Sequence, residues 1–298
     1  MPSRFSHFLA IDWSGAAGER QPGIALGLCA ADDEAPVLLS PPGHRHWSRH
    51  AVLDYLLTDL PADTLVGMDL GMSLPFVDAG AFFPGWKQSL PDARALWRFI
   101  DETCAADAHL GATSFVDHSI ASAYFRRQGG REGSHFHHPD ASHRRGRFRV
   151  TEAAQERAGC KPYSNFNLVG AAQVGKSSLT GMRLLHRLQG RVFVWPVDGL
   201  TVPPTGSVVV EIYTAIAALA AARRAGRSKI RDGHDLDIAL AQLACAPAGL
   251  TGPIDDHSSD ALLTAAWLRR HAEDQALWHP AELNPEVALA EGWTFGAA

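Results

Sequence analysis

The sequence predicts an α/β protein in which one layered core is interrupted by a long insertion. Three observations predict it. Short apolar runs separated by turn-rich segments fill the first forty residues. A helix-periodic stretch then leads into a further strand. After a long irregular stretch, strand and helix patterns return.

The elements follow in order. Residues 8–13 form a mostly apolar run ending at Ser14 and Gly15, and 23–29 and 36–39 form two more; the turns between them predict an antiparallel meander. Val52, Leu53, Leu56, Leu57 and Leu60 share one face of a helix over 48–60, with Ser48 placed to cap it. A fourth strand occupies 64–70. Beyond Pro75 the pattern loosens: 92–107 reads as helix, and 128–149 is rich in Gly, His and Arg. Strands return at 191–195 and 207–213, followed by helices over 215–225 and 235–246. The last helix starts at Asp256 or Ser259 and ends at His271, with Leu262, Leu263, Ala266 and Trp267 at helical spacing. The chain therefore reads as one domain over 1–298. Its core lies in 1–75 and 191–272, with an insertion over 76–190 and a tail over 273–298.

Composition narrows the function classes. Lys and Arg number 27 against 32 Asp and Glu, a formal charge of −5, so the chain as a whole does not announce nucleic-acid binding, although local patches remain open to it. No apolar run reaches the ~18–20 residues of a membrane span, and the N-terminus leads straight into a strand without a signal-peptide pattern. Cys29, Cys104, Cys160 and Cys245 are far apart, with no Cys-x-x-Cys pair, which points to a reduced, cytoplasmic protein.

The acidic residues carry the most information. Asp12 ends the first strand, Asp69 ends the fourth, and Glu211 sits in the late strand 207–213. Asp255, Asp256, His257 and Asp260 open the final helix, where spacings of three and four let His257 or Asp256 share a face with Asp260. A carboxylate inside an apolar strand is costly unless it is paired, hydrogen-bonded or metal-bound. Converging carboxylates supply the hard oxygen ligands suited to Mg²⁺ or Mn²⁺. Two such ions activate water and stabilise the leaving oxygen of a phosphodiester. The alternative is that Asp12 and Asp69 hold turns, Glu211 pairs with an arginine and Asp256 caps the helix.

With its Ala-Ile-Asp12-Trp-Ser-Gly, Gly-Met-Asp69-Leu, Val-Val-Glu211-Ile-Tyr and Asp-Asp256-His257-Ser-Ser-Asp260-Ala segments, the chain resembles the ribonuclease H-like superfamily. Within it, the layout is similar to a family of predicted nucleases, domain of unknown function 429. The His257-x-x-Asp260-Ala261 step also resembles the closing helix of Holliday-junction resolvases. The resemblance covers the core segments and leaves the insertion unaccounted for. It implies a five-stranded mixed sheet flanked by helices, with an acidic site along one edge. It further implies a metal-dependent nuclease with Asp12, Asp69, Glu211 and Asp260 as catalytic residues and Asp256 and His257 as further ligands of a two-ion site. The expected partner is a nucleic acid or nucleotide.

Other signals compete. Residues 170–177 match the phosphate-loop pattern, with Gly170, Gly175, Lys176 and Ser177 at its fixed positions, but the strand such a loop requires before it is poor. Lys176 is then either part of a nucleoside-triphosphate site, a contact to substrate phosphate, or a residue at a turn into a helix. Sugar kinases and actin-like ATPases share the core and place Asp-x-Gly loops where Asp12 to Gly15 and Asp69 to Gly71 fall, but their late glycine-rich segment is not evident. The arginines at 126, 127, 131, 144, 145, 147 and 149 suit either a phosphate backbone, with Arg144 and Arg145 foremost, or a solvated loop. Nearby histidines lack a recognisable metal frame. Trp13 either flanks a bound base or covers the sheet. A non-catalytic interaction module remains the third class, and no nucleophile-elbow motif points to a serine hydrolase.

Overall fold

The computed structural model describes residues 4–32, 34–137, 145–169, 173–188, 190–223 and 229–297. Strand β1 (His7–Asp12) lies in the middle of the sheet because Phe8, Leu9, Ala10 and Ile11 are all buried, two on each face. Such a continuous apolar run is what burial on both faces demands. On one side, β2 (Ala25–Ala30) and β3 (Val37–Leu39) complete the expected antiparallel meander. On the other, β4 (Thr64–Asp69) runs parallel to β1, followed outward by β6 (Val208–Glu211) and then by β5 (Phe193–Val194), also parallel. The order is β3-β2-β1-β4-β6-β5. All six apolar runs of the sequence become strands, so the mixed sheet has one more strand than the five its resemblance implies.

Helices cover both faces. Against one pack α1 (Arg49–Asp54), which continues as a wider turn through Asp59, α2 (Ala93–Thr103) and α5 (Val174–Leu188), through Val52, Leu96, Trp97, Leu179 and Leu184. Ser48 and Asp92 cap α1 and α2 by accepting from the amides of Ala51 and Ala95. Two short helices, α3 (Thr113–Val116) and α4 (Val150–Arg157), join α2 to α5. Against the other face lie α6 (Thr214–Ala220), α7 (Gly233–Gln242) and α8 (Asp256–His271). Two further short helices follow, α9 (Gln275–Trp278) and α10 (Pro285–Ala290), which bury Trp278 and Val287 in the same core.

The insertion is therefore not an appendage, since α2 and α5 form much of one helical layer. Nor do the final residues form a loose tail. Trp278, Trp293 and Phe295 are buried in the opposite core, and the Phe295 amide donates to the Glu211 carbonyl at 2.8 Å.

The seating of α8 follows from a row of small residues. Register places Gly27 of β2 and Gly67 of β4 on either side of Ala10 of β1. A methyl group added at Gly27 would lie 2.6 Å from the Ala261 carbonyl, and one at Gly67 would lie 2.9 Å from Leu268. The row is thus a trough that only small side chains leave open, and α8 lies in it with the Ala261 backbone over Gly27 and Leu268 over Gly67. Gly27→Ala should cost about 1–3 kcal/mol through overpacking, read as a lower urea midpoint with an unchanged slope. It should also displace the first turns of α8.

Candidate metal centre

Alternation along the strands sorts the acidic residues. Asp12 follows Phe8 and Ala10 on the face beneath α8, and its register partner Asp69 lies on the same face. Glu211 follows Val209 on the opposite face. The N-terminal turns of α8, held down by the trough, bring His257 and Asp260 over Asp12. His257 Nδ1 lies 3.1 Å from Asp12 Oδ2. A methyl group at Gly23 would approach both His257 Nε2 and Ser14 Oγ to 3.3 Å, so the free edge of the imidazole faces the loop that follows β1.

The electrostatics follow from this crowding. Burial raises the Asp69 carboxyl well above the usual carboxylate range, and the charges of Asp12, Asp260 and Glu211 push it further. Burial, with Asp12 and Asp256, lifts Asp260 to about 7. Asp12 is also raised by burial, against the hydrogen bond from His257. That same bond raises His257 and outweighs the burial of its ring. The rim thus holds three carboxylates whose main nearby cation is a half-exposed histidine. Among the described residues no three Asp, Glu, His or Cys side chains stand around one point as a finished ion site.

Two expected ligands are committed elsewhere. Glu211 is gripped by Arg149, whose Nη1 and Nη2 donate to its two oxygens at 2.8 and 2.6 Å. The Met72 amide adds a bond of 2.7 Å, and the Thr294 hydroxyl donates to the other oxygen. Arg149 also holds Glu152, and all three side chains are buried. With its lone pairs taken by four donors, Glu211 anchors the structure rather than offering oxygen to an ion. Asp256 pairs with Lys229, while the neighbouring Asp255 caps α8 by accepting from the Ser258 amide at 2.9 Å. The cap is therefore Asp255, and Asp256 reaches the rim only through its field.

The residues expected to touch substrate divide in the same way. Trp13 is buried, and its indole donates to Thr180 Oγ1 at 3.1 Å. Arg145 pairs with Glu156 and donates to the Pro162 carbonyl at 2.8 Å, so it braces the chain at Tyr163. Arg147 is buried, bound to Asp78 and to the carbonyls of Pro75, Ala81 and Phe82. Much of the arginine run is thus internal stapling. Arg144 lies outside the described residues, as do Gly170 to Ala172 of the phosphate-loop-like segment.

The rest of that segment departs from a phosphate loop. Residues 161–169 form no strand, only an isolated bridge from Asn167 to Arg126. The Gly175 amide donates to Asn167, the Lys176 amide to Gln173, and the Ser177 hydroxyl to Val174. Donors that would cradle phosphate are spent within the chain. Gly175 is needed for packing, since a methyl there would lie 2.5 Å from the Asn165 carbonyl. Lys176 itself is exposed on α5, against which Gly15 packs closely.

A cavity of about 280 Å³ opens beside Asp69. Sequence reasoning missed three residues that line it, Gln155, Tyr163 and Tyr213. Tyr213 alone carried a signal, as the aromatic two places after Glu211. Burial next to Asp69 pushes its phenol up to about 12.

Two outcomes test this description. Arg149→Ala leaves two buried carboxylates unpaired and should destabilise the protein by about 3–5 kcal/mol in urea denaturation. Asp260 behaves oppositely. Its folded value near 7 lies above the ordinary 3.8, so its contribution to stability is present below about pH 4 and is lost as pH rises towards and through 7. In chelator-treated protein, Asp260→Asn should therefore add roughly 1–2 kcal/mol at pH 8, after allowance for solvent screening, and almost nothing at pH 4.

Compared with protein-family models, with curated proteins and with solved structures, the chain finds no match.

Proposed function

We propose that the chain is a divalent-metal-dependent phosphodiester hydrolase, a nuclease of ribonuclease H-like fold. One observation carries the reading. Asp12, Asp69 and Asp260, contributed by two central strand ends and one helix, share a rim where the charge of Asp12 raises both of the others, and among the described residues no lysine or arginine forms an ion pair with them. A mixed sheet with this rim at the carboxyl ends of β1 and β4 supports it further.

The donor chemistry fits Mg²⁺ or Mn²⁺, with Asp12, Asp69 and Asp260 as oxygen ligands and His257 beside them. Glu211 and Asp256 are engaged with cationic partners, so the remaining protein ligands suit one ion better than the two expected from sequence. When bound, the cation supplies Lewis-acid polarisation of a phosphoryl oxygen and activation of water. The chain's own groups do the rest. Asp12 orients the His257 ring through Nδ1 and favours its protonated form, which keeps a proton on Nε2 at the rim for transfer to a leaving oxygen. The indole of Trp13, tied to Thr180, fixes the backbone just after Asp12. Lys176, exposed where α5 meets the Asp12 loop, stands ready to meet substrate phosphate. A nucleoside-triphosphate site at residues 170–177 is not favoured, because the Gly175 and Lys176 amides are already bonded and residues 161–169 form no strand before it.

Asp12→Asn should lower Mn²⁺-dependent cleavage of a labelled oligonucleotide by at least ~10²-fold, the scale expected when a catalytic ligand is lost. Thermal melting should be unchanged or higher, because the substitution removes a buried negative charge. Equal cleavage by the variant, or none by the wild-type protein with any divalent ion, would overturn the proposal.

A further inference from the structure

The cavity beside Asp69 has a character of its own. Asp69 stands both on its wall and in the acidic rim, so a group in the cavity is a direct neighbour of the reacting centre. Its other walls include Trp13, Tyr163 and Tyr213. These rings are fixed: the Trp13 indole donates to Thr180, the Tyr213 hydroxyl to the Lys161 carbonyl at 3.4 Å, and the Arg145 guanidinium lies 5.7 Å from the centre of Tyr163. Rigid aromatic faces at a wall suit a planar ring.

Charge excludes the usual alternative occupant. The one cation on the wall among the described residues, Arg149, is shared by two carboxylates, Glu152 and Glu211, and so has no charge left for an anion. A phosphate or carboxylate would meet repulsion here. A neutral ring with N–H donors on its edge would not.

The hydrogen-bond chain also sets one acceptor. The Thr294 hydroxyl donates its proton to Glu211, so its oxygen must accept from the Gln155 amide NH₂ at 2.8 Å. That assignment leaves the Gln155 carbonyl oxygen, on a buried side chain of the wall, for an occupant. The volume of about 280 Å³ lies at the small end of ligand pockets and suits one ring system rather than a length of chain.

We propose that this cavity is a nucleobase pocket: it takes the base next to the attacked phosphate out of its stack, between Trp13, Tyr163 and Tyr213, and the Gln155 carbonyl accepts from a base amino group. The substrate class is then a single-stranded or locally opened nucleic acid, with the amino-bearing bases adenine, cytosine and guanine favoured over uracil or thymine at one position. The position of that phosphate rests on the hydrolase reading; the affinity of the pocket for a base does not.

The test therefore begins without metal. Chelator-treated protein is titrated with adenosine, cytidine, uridine and ribose, and binding is read by saturation transfer to the base protons. Adenosine and cytidine should bind saturably and more tightly than uridine, and ribose should not bind. Tyr163→Ala, at a partly exposed position that folding tolerates, should weaken nucleoside binding on the order of ten-fold. Gln155→Leu, checked by thermal melting, should abolish the preference over uridine while retaining uridine binding. Nucleosides binding no better than ribose, or equal binding by Tyr163→Ala, would overturn the pocket. Cleavage then separates the two readings. If nucleosides bind but Mn²⁺-dependent cleavage is absent, the hydrolase reading falls and the pocket stands. If cleavage occurs and an abasic residue placed at each position around the cut leaves its rate unchanged, the pocket falls and the hydrolase reading stands.

Discussion

The contact between α8 and the trough of small residues is what the candidate centre depends on. Asp12 and Asp69 are placed by the sheet alone, as register partners at the ends of adjacent strands. Asp260 and His257 reach them only because α8 descends far enough, and Gly27 and Gly67 set that depth. A close helix–sheet approach forfeits the packing area that larger side chains would bury, at roughly 25 cal/mol per Å². Trp267, Leu262 and Leu268 recover part of it along the rest of the helix. The arrangement favours position over maximal burial, and the position is that of the charged residues at the start of the helix.

A second anchor lies on the other side of the strand ends. Arg149 draws Glu152 of α4, Glu211 of β6 and the Glu291 carbonyl to one point. It thereby ties the long insertion, the sheet and the C-terminal segment together. Glu291 extends the same network, accepting from the amides of Phe76, Val77 and Val150. Breaking any one member leaves charge buried without a partner, which makes these segments cooperative. The segments that look peripheral in the sequence are thus locked to the core by a buried charge, and the insertion builds much of the wall of the cavity at Asp69.

Much of this was legible in the sequence. Apolar runs and their spacing locate the six strands and the main helices, because alternation and helical periodicity report burial directly. Asp12 and Asp69 are legible as candidates because a carboxylate in an apolar strand is conspicuous, and Asp260 because it shares the opening face of the last helix with His257 or Asp256. Strand parity would also have separated Glu211 from Asp12 and Asp69, since Glu211 shares the face of Val209 rather than that of Phe8 and Ala10. What stayed hidden was pairing across the chain. Nothing local tells that Arg149 rather than a cation meets Glu211, that Lys229 takes Asp256, or that Arg147 spends its donors on carbonyls. Those choices are made by residues dozens of positions away, and the arginine run looks the same whether it staples loops or awaits phosphate. The phosphate-loop match failed for a related reason. The letters fit, but Gly175 serves close packing, and residues 161–169 form no strand.

The contrast between the two acidic groups is itself an argument for function. In one, Glu211, Glu152 and Glu291 receive an arginine and a set of backbone amides, so each buried oxygen has a donor. In the other, a few residues away, Asp12, Asp69 and Asp260 are crowded with a histidine as their nearest balance, and burial raises all three, Asp69 well above its ordinary range and Asp260 to about 7. The same chain can evidently neutralise acidic side chains where it needs only stability. Leaving three unneutralised at the carboxyl ends of its central strands costs stability above neutral pH. A cost at this rim, where donors are few, beside a cavity lined with aromatic rings, fits a centre whose missing charge arrives with its ion and whose missing surface arrives with its substrate.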